Sequence, residues 1–168
     1  MRIHSGVAER IAASLGAAGF PAEARSVKGV RDIAPFDAFV IGSAAYMFHW
    51  LKGATAFVKR HRAVLAERPV WLFGSGPLGA DLVDKEGRDI FEASRPKEVE
   101  ELKTLIRPRG DQVFFGAWDP DAPTMGIGER FLRLMPVSQA AMPAGGFRDW
   151  QAIDTWAAEI ANELRSDE

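Results

Sequence analysis

The chain has 168 residues, 47% of them apolar and 26% charged, a balance that fits one globular domain with a full core. A net charge of −2 removes the electrostatic case for a dedicated nucleic-acid binder. Cysteine is absent, which excludes disulfides, thiolate metal sites and thiol nucleophiles.

The first predicted element is a helix from Ser5 to Ala18, where Val7, Ile11, Ala12 and Leu15 recur at helical spacing and Gly19 marks a stop. Ala22 to Val27 follows as a short, partly polar strand candidate suited to a sheet edge. Asp37 to Ser43 and Pro69 to Gly74 are nearly continuous apolar runs, as expected of central parallel strands covered on both faces. Between them a helix is predicted over Trp50 to Ala66, with Leu51, Ala54, Phe57, Val58 and Leu65 inward and Lys59, Arg60 and Arg62 outward. Pro96 to Ile106 gives another helix, with Pro96 near its first turn. Gln112 to Ala117 reads as a strand, Ile127 to Met135 as a short helix, and Trp150 to Leu164 as the last helix. The alternation predicts an α/β fold with a parallel, doubly wound sheet, in a single domain over residues 1–168. Such folds usually open on a central apolar strand, and Met1 to His4 leaves no room for one. No apolar run reaches transmembrane length and no signal-peptide core is present, so the expected location is cytoplasmic.

Both central runs open into loops of small residues: Gly42-Ser43-Ala44-Ala45-Tyr46 after the first, Ser75-Gly76-Pro77-Leu78-Gly79 after the second. In an open α/β sheet, ligands bind outside the carboxyl ends of the strands. Two such ends point to one flat ligand lying across both. Tyr46 and Trp50, four residues apart, are placed to cover a ring face, though Tyr46 serves equally as a half-buried anchor. Trp118, at another strand end, can border the same ligand, whereas Trp71 lies mid-strand in the core. Ser43 and Ser75 lack a nucleophile-elbow context, and His4, His49 and His61 have no metal-site spacing. Glu98, Glu100 and Glu101 read as a charged helix face.

The segments Val7 to Ile11, Asp37 to Tyr46, Trp50-Leu51-Lys52, Phe57 to His61, Pro69 to Gly79, Phe114 to Ala117 and Asp149 to Ile153 carry a resemblance that covers nearly the whole chain. It resembles the flavodoxin family, in particular the branch that includes menaquinone-dependent protoporphyrinogen oxidase. The resemblance implies a flavodoxin-like three-layer sandwich that binds FMN. The ring would lie on Ser43, Ala44, Ala45, Tyr46, Trp50 and the loop Ser75, Gly76, Pro77, Leu78, Gly79, with Trp118 beside it. Two departures stand out. The family begins with a strand and a Ser/Thr/Gly loop that cradles the FMN phosphate, and of this only Ser5, Gly6 and the helix dipole remain. Phe48 stands where relatives often carry Gly. The first strand is thus absent from the chain; the simplest account is an internal or misassigned start at Met1, the alternative a divergent member that has lost its flavin.

The functional expectation is an FMN-dependent redox protein, either an electron carrier or an oxidoreductase of the protoporphyrinogen oxidase type. The flavin does the chemistry and no acid–base side chain is required. FMN binding is expected to be weak, since phosphate contacts are the part removed. The counterpart would be a redox partner protein or a quinone- or porphyrinogen-type small molecule. Arg130, Phe131, Leu132, Arg133, Leu134 and Met135 could touch a membrane surface or a quinone, although a core-facing amphipathic helix explains the pattern more simply. The alternative function is a flavin-free interaction module that binds a partner by strand addition at the edge the missing strand leaves open.

Overall fold

In the computed structural model, which describes residues 5–46, 49–76, 82–83, 85–93, 95–118, 145–146 and 148–168, the two apolar runs are neighbouring parallel strands. In β1 (Phe39–Tyr46) and β3 (Val70–Ser75), Phe39 lies opposite Val70 and Ile41 opposite Leu72. β4 (Gly110–Phe114) joins the far side of β3, also parallel, with Trp71 opposite Gly110. β2 (His49–Trp50) turns back antiparallel along the end of β1, giving the order β2-β1-β3-β4. A separate pair joins β5 (Ala117–Trp118) to β6 (Gly145–Gly146).

Strand alternation sends Val70 and Leu72 to one face of β3 and Trp71 and Phe73 to the other. None of the four is more than 7% exposed, so both faces are covered. On the first face, α2 (Lys52–Arg60), α3 (Arg62–Leu65) and α5 (Glu98–Ile106) pack Phe57, Val58, Leu65, Val99, Leu102 and Ile106 onto the sheet. On the second, α1 (Ser5–Ala17) and α6 (Trp150–Ser166) bring Val7, Ile11, Leu15, Ile153, Trp156 and Ile160 against Trp71, Phe73 and Phe114. Each large apolar side chain so enclosed contributes roughly 1.5–3 kcal/mol over leaving it in water. The result is a three-layer α/β sandwich of the flavodoxin-like kind. A short α4 (Ile90–Ala93) precedes α5.

α1 stops where Gly19 turns left-handed, at φ +97°, and the Phe20 N–H closes back on the Leu15 carbonyl at 3.0 Å. Asp149 caps α6 by accepting the Ala152 N–H at 3.0 Å.

Several expectations need correction. Ala22 to Val27 forms no strand. Residues 21–26 are exposed, Pro21 has no N–H to give a ladder, and a single 3-10 turn follows at Val27–Gly29. The helix expected over Trp50 to Ala66 starts later and is broken: Trp50 belongs to β2, and His61, at φ −99° and ψ 13°, separates α2 from α3. The strand expected over Gln112 to Ala117 begins at Gly110 instead, because the Arg109 N–H bonds the Val70 carbonyl at 2.8 Å and fixes the register there. The helix expected over Ile127 to Met135 lies outside the described residues.

Candidate functional site

The helices α1 and α6 run parallel. A side-chain carbon at Gly6 would touch the Trp150 ring at their leading ends, while the Arg165 guanidinium bonds the Ala18 carbonyl at 2.8 Å at their trailing ends. Midway, Arg10 grips Asp154 through two bonds of 2.7 and 2.6 Å, and the Ser14 hydroxyl donates to the same carboxylate at 3.0 Å. Arg109, just ahead of β4, pairs with Asp167 beyond α6 at 2.6 Å. The trailing ends of the helices therefore sit at the beginnings of the strands. Their N-termini, in turn, lie at the carboxyl end of the sheet, where the register aligns Ala44, Ser75 and Phe114 on adjacent strands.

At this end α1 presents the backbone N–H groups of its first turn, which have no acceptor within the helix. No acidic side chain occupies that turn to neutralise it. Instead Arg148 approaches: a Cβ at Gly6 would come 3.2 Å from its Nη1, and the guanidinium carbon stands 5.6 Å from the centre of the Trp150 ring. Burial holds the Arg148 pKa below the usual arginine value. A cation beside the positive end of a helix dipole gains nothing from the helix; an anion there gains from both. Gly6, in the first turn of α1, thus has an arginine beside it, and Arg148 is the residue at this end that sequence reading missed. Its one sequence signal is a cation directly ahead of the helix-capping Asp149, against the dipole preference.

The two small-residue strand ends meet. A side-chain carbon at Gly76 would lie 3.6 Å from Ala45 Cβ and 3.7 Å from Val113 Cγ1. The Gly76 N–H is donated to the Phe114 carbonyl at 3.0 Å, so it extends the sheet and is not free to meet a ligand. Ser43 is buried, its hydroxyl accepting the Leu51 N–H at 3.0 Å and donating to the Ala44 carbonyl at 2.9 Å. Trp50 is only 3% exposed and belongs to the buried cluster that holds Leu72 and Val99. Tyr46 ends β1 opposite His49, and Trp118 lies opposite Gly145 in the β5–β6 pair. Pro77, Leu78, Gly79, His4 and Phe48 lie outside the described residues.

These elements define a class: an open, mostly parallel α/β domain with helix N-termini and strand ends at the same end of the sheet. A family model described as a flavodoxin domain matches residues 5–132, and the chain belongs to the flavodoxin family. At the level of that family the domain is a flavin-binding redox module, with FMN the usual ligand. No curated protein and no solved structure matched the chain. Among the described residues no helix is long and apolar enough to cross a membrane.

Proposed function

We propose that the chain is an FMN-dependent redox protein of the branch that includes menaquinone-dependent protoporphyrinogen oxidase. It exchanges electrons with a protein partner or with a quinone- or porphyrinogen-type molecule. The observation that carries this reading is the placement, at one end of the sheet, of the α1 N-terminus, with no acid in its first turn and Arg148 beside Gly6, together with the ends of β1 and β3. Ser5, Gly6 and Arg148 would hold the phosphate. Ala44, Ala45 and Gly76 would admit the edge of the ring. When bound, FMN supplies transfer of one or two electrons. The chain's own residues bind, orient and exclude water, and among the described residues none is placed as an acid or base for the ring. The test is spectral: protein titrated with FMN should develop a shifted, structured flavin band with quenched emission. Absence of any such change at millimolar FMN would reject the reading.

A second reading follows from the edge of β1. The Phe39 N–H is donated to the Pro69 carbonyl at 2.9 Å, so by alternation the backbone groups of Val40, Gly42 and Ala44 point to the opposite edge. Among the described residues no strand pairs with them there. A flavin-free module would add a partner's strand at that edge. Protein that stays colourless with FMN yet gains protection at the Val40 and Gly42 amides on binding a partner would support it.

A further inference from the structure

The hairpin that carries Ser43, Ala44, Ala45 and Tyr46 is fastened at two points. One is internal, the Leu51 N–H on the Ser43 hydroxyl at 3.0 Å. The other comes from elsewhere in the chain. Glu98, the first residue of α5, sets one carboxylate oxygen 2.7 Å from His49 Nδ1 and accepts the Trp50 N–H on the other at 3.2 Å. A carboxylate in the first turn of a helix is favoured by the dipole, which accounts for an acid at this position. The dipole does not account for a carboxylate that holds two successive residues of the β1–β2 return.

We propose that Glu98 is a positioning residue: through His49 and the Trp50 amide it holds β2 against the carboxyl end of β1, so that Ser43, Ala44, Ala45 and Tyr46 keep the arrangement that receives the ligand ring. This rests on the flavin reading given above. The clasp couples β2 to the start of α5, so the ring side of the site is set by a residue that need not touch the ligand. Affinity then scales with the fraction of molecules whose hairpin is correctly held.

The clasp is also sensitive to pH. Burial, the largest single influence on Glu98, pushes its carboxyl up. Hydrogen bonds from His49, from its own N–H and from the Trp50 N–H, with the charge of His49, together hold it below the ordinary glutamate value. The neighbouring charges are engaged elsewhere: Lys59 of α2 with Glu101 at 2.7 Å, and Lys103 and Arg95 with Asp111 at 2.9 and 3.2 Å. His49 is therefore the partner that matters. A carboxyl held low keeps its contribution above the unfolded value and loses it as pH falls through the folded value, so the clasp opens on the acid side.

The experiment compares the parent with Glu98→Ala, Glu98→Gln and His49→Ala, reading amide exchange without ligand and affinity for FMN. Glu98→Ala should lower the protection of the Trp50 and Leu51 amides and weaken FMN roughly tenfold, the factor a lost hydrogen bond to a charged group gives at the low end. Glu98→Gln can still accept the Trp50 N–H, so it should restore most of the protection and affinity. It should also lack the acid titration of the Trp50 amide proton shift that is expected of the parent. His49→Ala, at a half-exposed position, should weaken FMN by only roughly two- to threefold. Unchanged protection at Trp50 and Leu51 in folded Glu98→Ala overturns the proposal. So does lost protection with parental FMN affinity, which would make Glu98 a helix cap and nothing else. A parent that takes up no FMN brings down the flavin reading and the positioning role with it, while the amide data separately decide whether the clasp exists.

Discussion

Gly42 and Phe73 are register partners on β1 and β3, and the Phe73 ring lies so close over Gly42 that a side-chain carbon there would overlap it. The ring cannot readily retreat, because Phe114 and Trp156 stand 6.2 and 6.3 Å from it between centroids. Packing, not backbone conformation, requires glycine at this position. Forcing a methyl into such a core typically costs about 1–3 kcal/mol. Gly42→Ala should therefore lower the melting temperature by roughly 3–10 °C for a domain of this size. A melt within about a degree of the parent would show that the aromatic cluster yields freely.

The link between α1 and α6 gives a second, milder prediction. The Arg10 hydrogen bond, ahead of a smaller opposing desolvation, lowers the Asp154 pKa, and Ser14 and the Arg10 charge add to it. A lowered carboxyl contributes above its unfolded pKa and stops contributing as pH falls through the folded value. Both partners are substantially exposed, at 49% and 37%, so the contribution is small. Asp154→Asn should lose less than half the melting temperature that Gly42→Ala loses near neutral pH. Below the ordinary aspartate range the two melting curves should converge. Equal differences at pH 7 and pH 3 would show that Asp154 does not act through its charge.

What the sequence revealed and what it hid divides by range. The run Val70-Trp71-Leu72-Phe73 is apolar at every position because β3 is covered on both faces, and that is legible without a structure. The Val7, Ile11, Leu15 stripe is equally plain. Trp50 misled because its spacing to Ala54 and Phe57 continues the helical pattern, while its backbone is drawn into β2 by Ala45 and by Glu98. Ala22 to Val27 misled because modest strand propensity was read without a partner to pair with. Glu98 looked like one member of a charged face; its partner His49 is 49 positions away, a distance no periodicity reports. Arg148 was hidden for the same reason. The phosphate end proposed for the site would draw Gly6 and Arg148 from opposite ends of the chain.

That assembly predicts a selective defect. Riboflavin carries the same ring as FMN without the phosphate, so the pair separates the two ends of the site. Removing a charge-assisted bond to phosphate loses about 1.5–3 kcal/mol, or roughly tenfold to a hundredfold in affinity. Arg148→Ala should weaken FMN by that factor and leave riboflavin within roughly twofold. The FMN loss should also shrink as salt is raised. Equal losses for both flavins would mean that Arg148 acts by packing on Trp150 and not on an anion.

The ring end is tested at Gly76. Its backbone is not left-handed, and an added Cβ would meet Ala45 and Val113 at ordinary contact distance. Gly76→Ala should therefore fold with nearly parental stability and bind FMN within roughly threefold of the parent. Gly76→Val places two further methyl groups at the junction of β1 and β3, in the space the edge of a ring would need. The N–H donated to the Phe114 carbonyl is retained in both variants, so the sheet keeps its register and folding is separable from binding. Binding should fall by roughly a hundredfold or more for FMN and riboflavin alike, equivalent to about 2.7 kcal/mol or more, because the obstruction is at the ring and not at the phosphate. This pattern is the converse of Arg148→Ala, and together the two variants locate both ends of the ligand. If folded Gly76→Val binds both flavins as tightly as Gly76→Ala does, the turn after β3 is an ordinary connection and the ring lies elsewhere.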